Sequence, residues 1–225
     1  MIKENLEALR SQLPAGVELN AVSKFNAPER IQEAYDAGQR IFGESRVQEL
    51  LTKTDVLPGD INWHFIGHLQ TNKVRQVVGR VTLIESIDSE KLLTLVDKEA
   101  EKKDVCQDVL LQLHVAAEET KFGFSPDELY AFMATKPWER FKHIRLRGVM
   151  GVASNVDDRE RIREDFRTIR SVFNTLKDRY GAELPYFNIV SMGMSGDWHE
   201  AVECGSTMVR IGSGIFGQRI YNNHK

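Results

Sequence analysis

A single (β/α)8 barrel of parallel strands, with one extra helix in front of it, is the fold class this sequence predicts. Three observations lead there. Short β-branched or aromatic runs alternate eight times with stretches whose apolar residues recur every three or four positions. The length of 225 residues matches the ~200–250 residues of one barrel unit. No Gly-x-Gly-x-x-Gly turn follows the first strand, as an open dinucleotide-binding sheet would show.

The elements follow in order. An opening helix is expected over residues 5–13, and strands over 18–23, 41–43, 63–66, 83–86, 109–115, 146–152, 186–191 and 208–212. Pro28 suits the first turn of the helix after strand one. Ser125-Pro126-Asp127-Glu128 opens a later helix with a hydroxyl cap, a proline and early acids. The clearest helix spans 157–180, where Ile162, Phe166, Ile169, Phe173, Leu176 and Tyr180 form one apolar stripe. Gly38, Gly79 and Gly181 fall where helices should stop. No linker or low-complexity stretch interrupts the series, so residues 1–225 are expected to form one domain.

Composition narrows the function classes. The 30 basic and 33 acidic residues give a net charge of −3 and no basic tract, so nucleic acid is not an expected partner. No apolar run approaches the ~18 residues of a membrane span, and the first residues show no cleavable leader pattern. Cys106 and Cys204 stand far apart without partners at metal-ligand spacing, so reduced thiols and a cytoplasmic setting are expected. His64 and His68 are four apart, but Trp63-His64-Phe65-Ile66 reads as a strand, so the helical zinc pattern does not apply. No metal site is expected. His64 is expected to pack against a flat ligand, organise a loop or serve the core.

Active sites of such barrels are built at the C-terminal ends of the strands, and the loops after strands seven and eight often grip a phosphate. That geometry selects Lys24 after strand one, Ser45 after strand two, His64 on strand three, the run Ser191-Met192-Gly193-Met194-Ser195-Gly196, and Arg210 to Gly214. A barrel mouth can desolvate the Lys24 ammonium and make it a nucleophile towards carbonyls. The glycine-rich turns after strands seven and eight leave amide donors for an anion.

Five collinear motifs carry a resemblance. Ala21-Val22-Ser23-Lys24, Phe42-Gly43-Glu44-Ser45-Arg46-Val47-Gln48-Glu49, Trp63 to Lys73, Ser191-Met192-Gly193-Met194-Ser195 and Gly205-Ser206-Thr207-Met208-Val209-Arg210-Ile211-Gly212 resemble the pyridoxal phosphate homeostasis proteins, nearly end to end. That family is similar in fold to the N-terminal barrel of alanine racemase, fold type III of the pyridoxal phosphate proteins. The resemblance implies pyridoxal 5′-phosphate as cofactor and Lys24 as its Schiff-base lysine. It implies phosphate contacts at Ser191, Gly212 and Ser213, with Ser206 and Thr207 beside them, and Arg210 at the pyridine nitrogen. Ser45 stands where the family commonly has Asn, and offers the ring-hydroxyl side one hydroxyl instead of an amide.

Alanine racemase also uses a tyrosine from a further C-terminal domain of its partner subunit, whereas this sequence ends at Lys225, soon after the last barrel unit. The expectation is therefore a monomer that binds, buffers and delivers the cofactor, with no catalytic residue assigned. Two other readings stay open. One is a weak amino-acid racemase or Schiff-base aldolase. The other is an interaction module for enzymes that use or make pyridoxal phosphate.

Overall fold

The computed structural model describes residues 1–116 and 122–217. Its strands are β1 (Glu18–Val22), β2 (Ile41–Glu44), β3 (Asn62–Phe65), β4 (Leu83–Ile87), β5 (Gln107–Leu113), β6 (Ile144–Gly151), β7 (Ile189–Met194) and β8 (Met208–Ile211). They pair in parallel in sequence order, and β8 returns to β1 with Asn20 opposite Arg210, closing the expected eight-stranded barrel. The helices are α1 (Ile2–Gln12), α2 (Pro28–Asp36), α3 (Val47–Thr54), α4 (Val74–Val77), α5 (Glu90–Lys102), α6 (Pro126–Ala134), α7 (Arg159–Tyr180), α8 (Trp198–Glu203) and α9 (Ser213–Phe216).

Local chemistry sets these boundaries. Pro28 starts α2, because its missing N–H would have no partner in the first turn. Ser125 closes a capping box on α6: its Oγ accepts from Glu128 N, and Glu128 Oε2 accepts from Ser125 N. Asp158 caps α7 by accepting from the amides of Glu160 and Arg161. The apolar stripe of α7 buries Ile162, Phe166, Ile169, Phe173 and Leu176, and Phe173 stacks on Phe187. Each such burial contributes about 1.5–3 kcal/mol, enough to fix which face of α7 meets the barrel. The opening helix buries Ile2 and Leu6, and Asn5 Nδ2 donates to Ile215 O of α9.

The main core lies between the outer faces of the strands and the helices. A separate cluster of Leu83, Leu110 and Met150, flanked by Val152 and Ile189, fills part of the barrel interior.

One strand differs from its sequence expectation in a way that matters. The seventh was expected over 186–191 but spans Ile189–Met194. Tyr186 is exposed, and Phe187 N closes a turn on Leu184 O, so the chain between α7 and β7 is still turning at the residues expected to start the strand. Ser191 is thereby inside the strand instead of at its end, and the loop starts at Ser195.

The β5–β6 pairing shifts register between Val109 and Leu110. Gly148, beside that shift, has φ +148°, and a Cβ there would lie 1.8 Å from Ile189 O on β7. Backbone cannot retreat from backbone inside a closed sheet. Gly148→Ala is therefore expected to destabilise the barrel by about 3 kcal/mol or more, measured as the shift in urea unfolding against wild type.

Candidate functional site

The strands' C-terminal ends enclose a cavity of about 590 Å3, within the ~300–1,000 Å3 range of small-molecule sites. Its walls are Val22, Ile66, Met150, Val152 and Met194; its polar groups come from Lys24, Ser45, Ser195, Arg210 and Ser213, with Gly196 and Gly212 between them. Strand periodicity explains the principal placements. Asn20, Val22 and Lys24 are spaced by two, as are Arg210 and Gly212, so each set shares the inward face. Gly67 packs so closely that a Cβ there would lie 2.3 Å from Ser45 O; this approach holds the residue after β2 against the end of β3.

Beneath the cavity runs a buried polar chain. Arg210 Nη1 donates to Ser191 Oγ at 2.6 Å, and Arg210 Nη2 to Gly151 O at 2.8 Å. Ser191 Oγ donates to Glu85 Oε2 at 2.6 Å, while Glu85 Oε1 meets His64 Nδ1 at 2.7 Å and accepts from Asn20 Nδ2 at 3.0 Å. Six strands thus contribute to one network, five through side chains and β6 through the Gly151 carbonyl, and every member is buried. Gly43 leaves the room that Asn20 fills, since a Cβ there would stand 2.6 Å from Asn20 Oδ1.

Burial would raise the Glu85 carboxyl, but the hydrogen bond and charge of His64, the charge of Arg210 and the Ser191 hydroxyl together carry it below the usual carboxylate range. Burial pushes the Arg210 guanidinium below its usual value, with Glu85 and Asp197 opposing. It stays a cation, because so basic a group does not give up its proton in a protein. At the rim, burial raises the Asp197 carboxyl, and its Oδ1 accepts Met194 N at 2.6 Å, shaping the turn that carries Ser195 and Gly196. Ser195 Oγ in turn accepts from Gly212 N at 3.2 Å, joining the loops after β7 and β8.

Lys24, Ser45, Arg210, Gly212 and Ser213 are brought together on this cavity. Ser191 and His64 are not on its lining: both point into the interior and reach it only through Arg210. The position expected for Ser191 at the C-terminal end of its strand is corrected by the observed span of β7, which runs on to Met194. Ser206 and Thr207 precede β8, at the end of the strand away from the cavity. Ser206 Oγ lies within hydrogen-bond reach of the Val190, Met192 and Met208 carbonyls, and Thr207 Oγ1 accepts Val190 N, so both fasten β7 to β8.

Sequence reasoning missed Glu85. Its signal was an acid alone in the apolar run Leu83-Ile84-Glu85-Ser86-Ile87, a charge that must be paired if buried. His68 pairs with Asp88 at 3.0 Å and stacks on Phe122, apart from His64. No group of three His, Cys, Asp or Glu side chains among the described residues could hold a metal ion.

The closed parallel barrel with a lysine and an arginine on one mouth cavity is of the alanine racemase N-terminal domain class, because residues 1–220 match the family model of that description. A pyridoxal phosphate homeostasis protein of Aquifex aeolicus is 40% identical over 208 residues, 91% of this chain and 88% of that protein. One of Schizosaccharomyces pombe is 37% identical over 225 residues, 95% of this chain and 91% of that protein. The chain belongs to the pyridoxal phosphate homeostasis protein family. PipY of Synechococcus elongatus, solved with pyridoxal phosphate bound, superposes with a TM-score of 0.85 at 35% identity, covering 96% of this chain and 100% of that one. An alanine racemase of Clostridium difficile, 14% identical with a TM-score of 0.75, shares the fold over 98% of this chain and 57% of its own.

Removing one partner of a buried ion pair leaves an uncompensated charge, at about 3–5 kcal/mol. Glu85→Ala should lose that much unfolding free energy in urea. Because the folded Glu85 carboxyl titrates below its unfolded value, its stabilisation is complete above the ordinary carboxylate range and is lost as pH falls below about 4. Stability measured against pH should therefore drop more steeply for wild type than for Glu85→Gln on the acid side.

Proposed function

We propose that the protein binds pyridoxal 5′-phosphate in the mouth cavity, with Lys24 as its Schiff-base lysine, and serves homeostasis of that cofactor by binding, buffering and delivering it. One observation carries the reading: the cavity presents the Lys24 ammonium and the Arg210 guanidinium and, among the described residues, no carboxylate on its lining. That charge balance suits a phosphorylated aldehyde. The apolar walls suit a flat ring, and Gly196 has open space around it that a side chain would occupy. PipY, a relative of the same fold, is described with this cofactor bound.

Lys24 supplies the amine that joins the aldehyde. Ser213 and Gly212 face the phosphate, joined by Ser195 and Gly196 from the neighbouring loop, and Ser45 lies to the ring-hydroxyl side. Arg210 faces the ring nitrogen and, as a permanent cation, disfavours its protonation. Ser191 and His64 act at one remove, holding Arg210 and Glu85 in place. When bound, the cofactor supplies an electron-accepting ring and a visible chromophore.

Robust turnover is not expected. Inverting an amino acid's Cα by proton exchange calls for bases on the two faces of the ring, and among the described lining residues Lys24 is the sole amine, with no imidazole or phenol beside it. The curated relatives carry the name of homeostasis proteins rather than of enzymes. A monomer in the cytoplasm is the setting we infer, with enzymes that use or make the cofactor as partners. Both cysteines are free, and no helix of the described residues is long and apolar enough to cross a membrane.

The test is the visible spectrum after incubation with pyridoxal 5′-phosphate and removal of excess. Wild type should be yellow, borohydride should abolish the band, and Lys24→Ala should lack it. A colourless wild type would overturn the reading and leave an aldolase-type lysine to pursue.

A further inference from the structure

Next to Lys24 lies a second buried charge cluster that the cavity does not use. Lys53, on α3, is almost wholly buried, and its Nζ donates to Ser23 O at 3.0 Å, Glu44 Oε1 at 2.7 Å and Glu49 Oε2 at 3.1 Å. Three donors meet three acceptors, so the ammonium is fully engaged. Glu44, at the end of β2, also accepts from Ser23 Oγ. Glu49, one helical turn before Lys53, accepts Phe25 N at 2.7 Å through the same Oε2.

These contacts converge on one short turn. The Ser23 carbonyl belongs to the peptide bond before Lys24, and the Phe25 amide to the peptide bond after it. One is held by Lys53 and the other by Glu49, which are themselves paired. Phe25 has φ +66°, a left-handed conformation that a phenylalanine adopts only when its surroundings impose it. Asn26 completes the turn, its amide donating to Ser23 O and its Nδ2 to Lys24 O. Burial lifts the Glu44 carboxyl above its usual range and Lys53 opposes that shift, as expected if Lys53 is the balancing charge of the cluster.

A surface turn of four residues does not need a buried Lys53–Glu44 pair backed by the partly exposed Glu49 to stay folded, and a buried ion pair of this kind is weak evidence for stability. Its geometry instead fixes the Cα of Lys24 relative to the barrel. We propose that Lys53, acting with Glu44 and Glu49, is a positioning residue that presents Lys24 for covalent capture of the cofactor. In that step the neutral Lys24 Nζ adds to the aldehyde carbon, a C=N bond replaces the C=O bond, and the oxygen leaves as water with two protons from the nitrogen. The inference rests on Lys24 being the Schiff-base lysine, and it concerns the rate of bond formation rather than the grip of the cavity on the ring and phosphate.

The experiment separates the two. Non-covalent affinity for pyridoxal 5′-phosphate is measured by fluorescence quenching in Lys24→Ala and in Lys24→Ala/Lys53→Met. The rate of appearance of the visible band is measured by stopped flow in wild type and Lys53→Met. The expected result is a non-covalent affinity unchanged within about twofold, as for independent sites, and a bond-forming rate at least about tenfold slower, as for a misplaced reacting group. Equal rates in wild type and Lys53→Met would overturn the proposal, and so would a parallel loss of affinity and rate, which marks a merely structural role. If Lys53→Met does not fold, Glu49→Ala decides by the same two measurements, since it leaves the Lys53–Glu44 pair intact and removes the carboxylate that Phe25 N and Lys53 Nζ share. Failure of every protein to bind pyridoxal 5′-phosphate would sink the cofactor reading itself, an outcome distinct from equal rates.

Discussion

The guanidinium of Arg210 is the constraint around which the barrel interior is arranged. A cation almost wholly buried is tolerated only where acceptors and a counter-charge surround it. Here the acceptors are Ser191 Oγ and Gly151 O, and the counter-charge is Glu85 at 3.8 Å. Glu85 in turn needs its own donors, and takes them from Ser191, His64 and Asn20. Each requirement recruits the next strand, so a single charge on β8 dictates polar residues on β1, β3, β4 and β7. It also dictates Gly43 on β2, where a side chain would displace Asn20.

With Arg210 at the ring nitrogen, as proposed, this arrangement would separate holding a ligand from activating it. A carboxylate at the ring nitrogen would promote its protonation and strengthen the ring as an electron sink; an arginine kept charged by a buried carboxylate does the opposite. The only carboxylate of the network lies behind the guanidinium and shares its hydrogen bonds with Ser191, His64 and Asn20, away from the cavity lining. Such a cavity can be strong in charge complementarity and still poor at catalysis, because interactions made equally with bound ligand and transition state do not accelerate a chemical step.

Much of the molecule was legible in the sequence because it depends on local rules. Strand and helix order followed from apolar periodicity, the caps at Pro28 and Ser125 from first-turn chemistry, and Lys24, Arg210, Gly212 and Ser213 from their places at strand ends. The misread residues depend on register. The β7–β8 pairing is irregular between Ser191 and Met194, which allows residues three apart both to face inward, a relation that strict alternation forbids. With the start of β7 also delayed by the turn at Leu184 to Phe187, Ser191 could be taken for the last residue of the strand, at the cavity, although it lies inside β7 and is completely buried. Ser206 and Thr207 belong to a motif that spans a strand, and a motif does not say which end of the strand meets the cavity. Glu85 and Lys53 were missed for a different reason: the nearest partner of Glu85 in the chain, His64, is 21 residues away, and the helical spacing of Glu49 and Lys53 does not say that Lys53 is buried against Glu44.

The two buried charge clusters differ in what they constrain, and the difference bears on how a reversible carrier can work. The Arg210–Glu85 network spans the barrel wall and moves only if the barrel opens, so it defines a fixed binding surface. The Lys53 cluster instead holds a turn at the rim, where Phe25 is half exposed and stacks under Arg46. A covalent bond formed by a residue of the barrel wall would be as rigid as the wall, and its breaking would depend on the fold. One formed by a residue on a braced turn can be made quickly while the brace holds and released without disturbing the strands beneath. Placing Lys24 two residues beyond β1 puts the reactive nitrogen within reach of the cavity while leaving its backbone outside the barrel's hydrogen-bonded ladder. On the proposed reading, the buried network around Arg210 fixes the binding surface and the turn braced by Lys53 sets how readily Lys24 captures what is bound there.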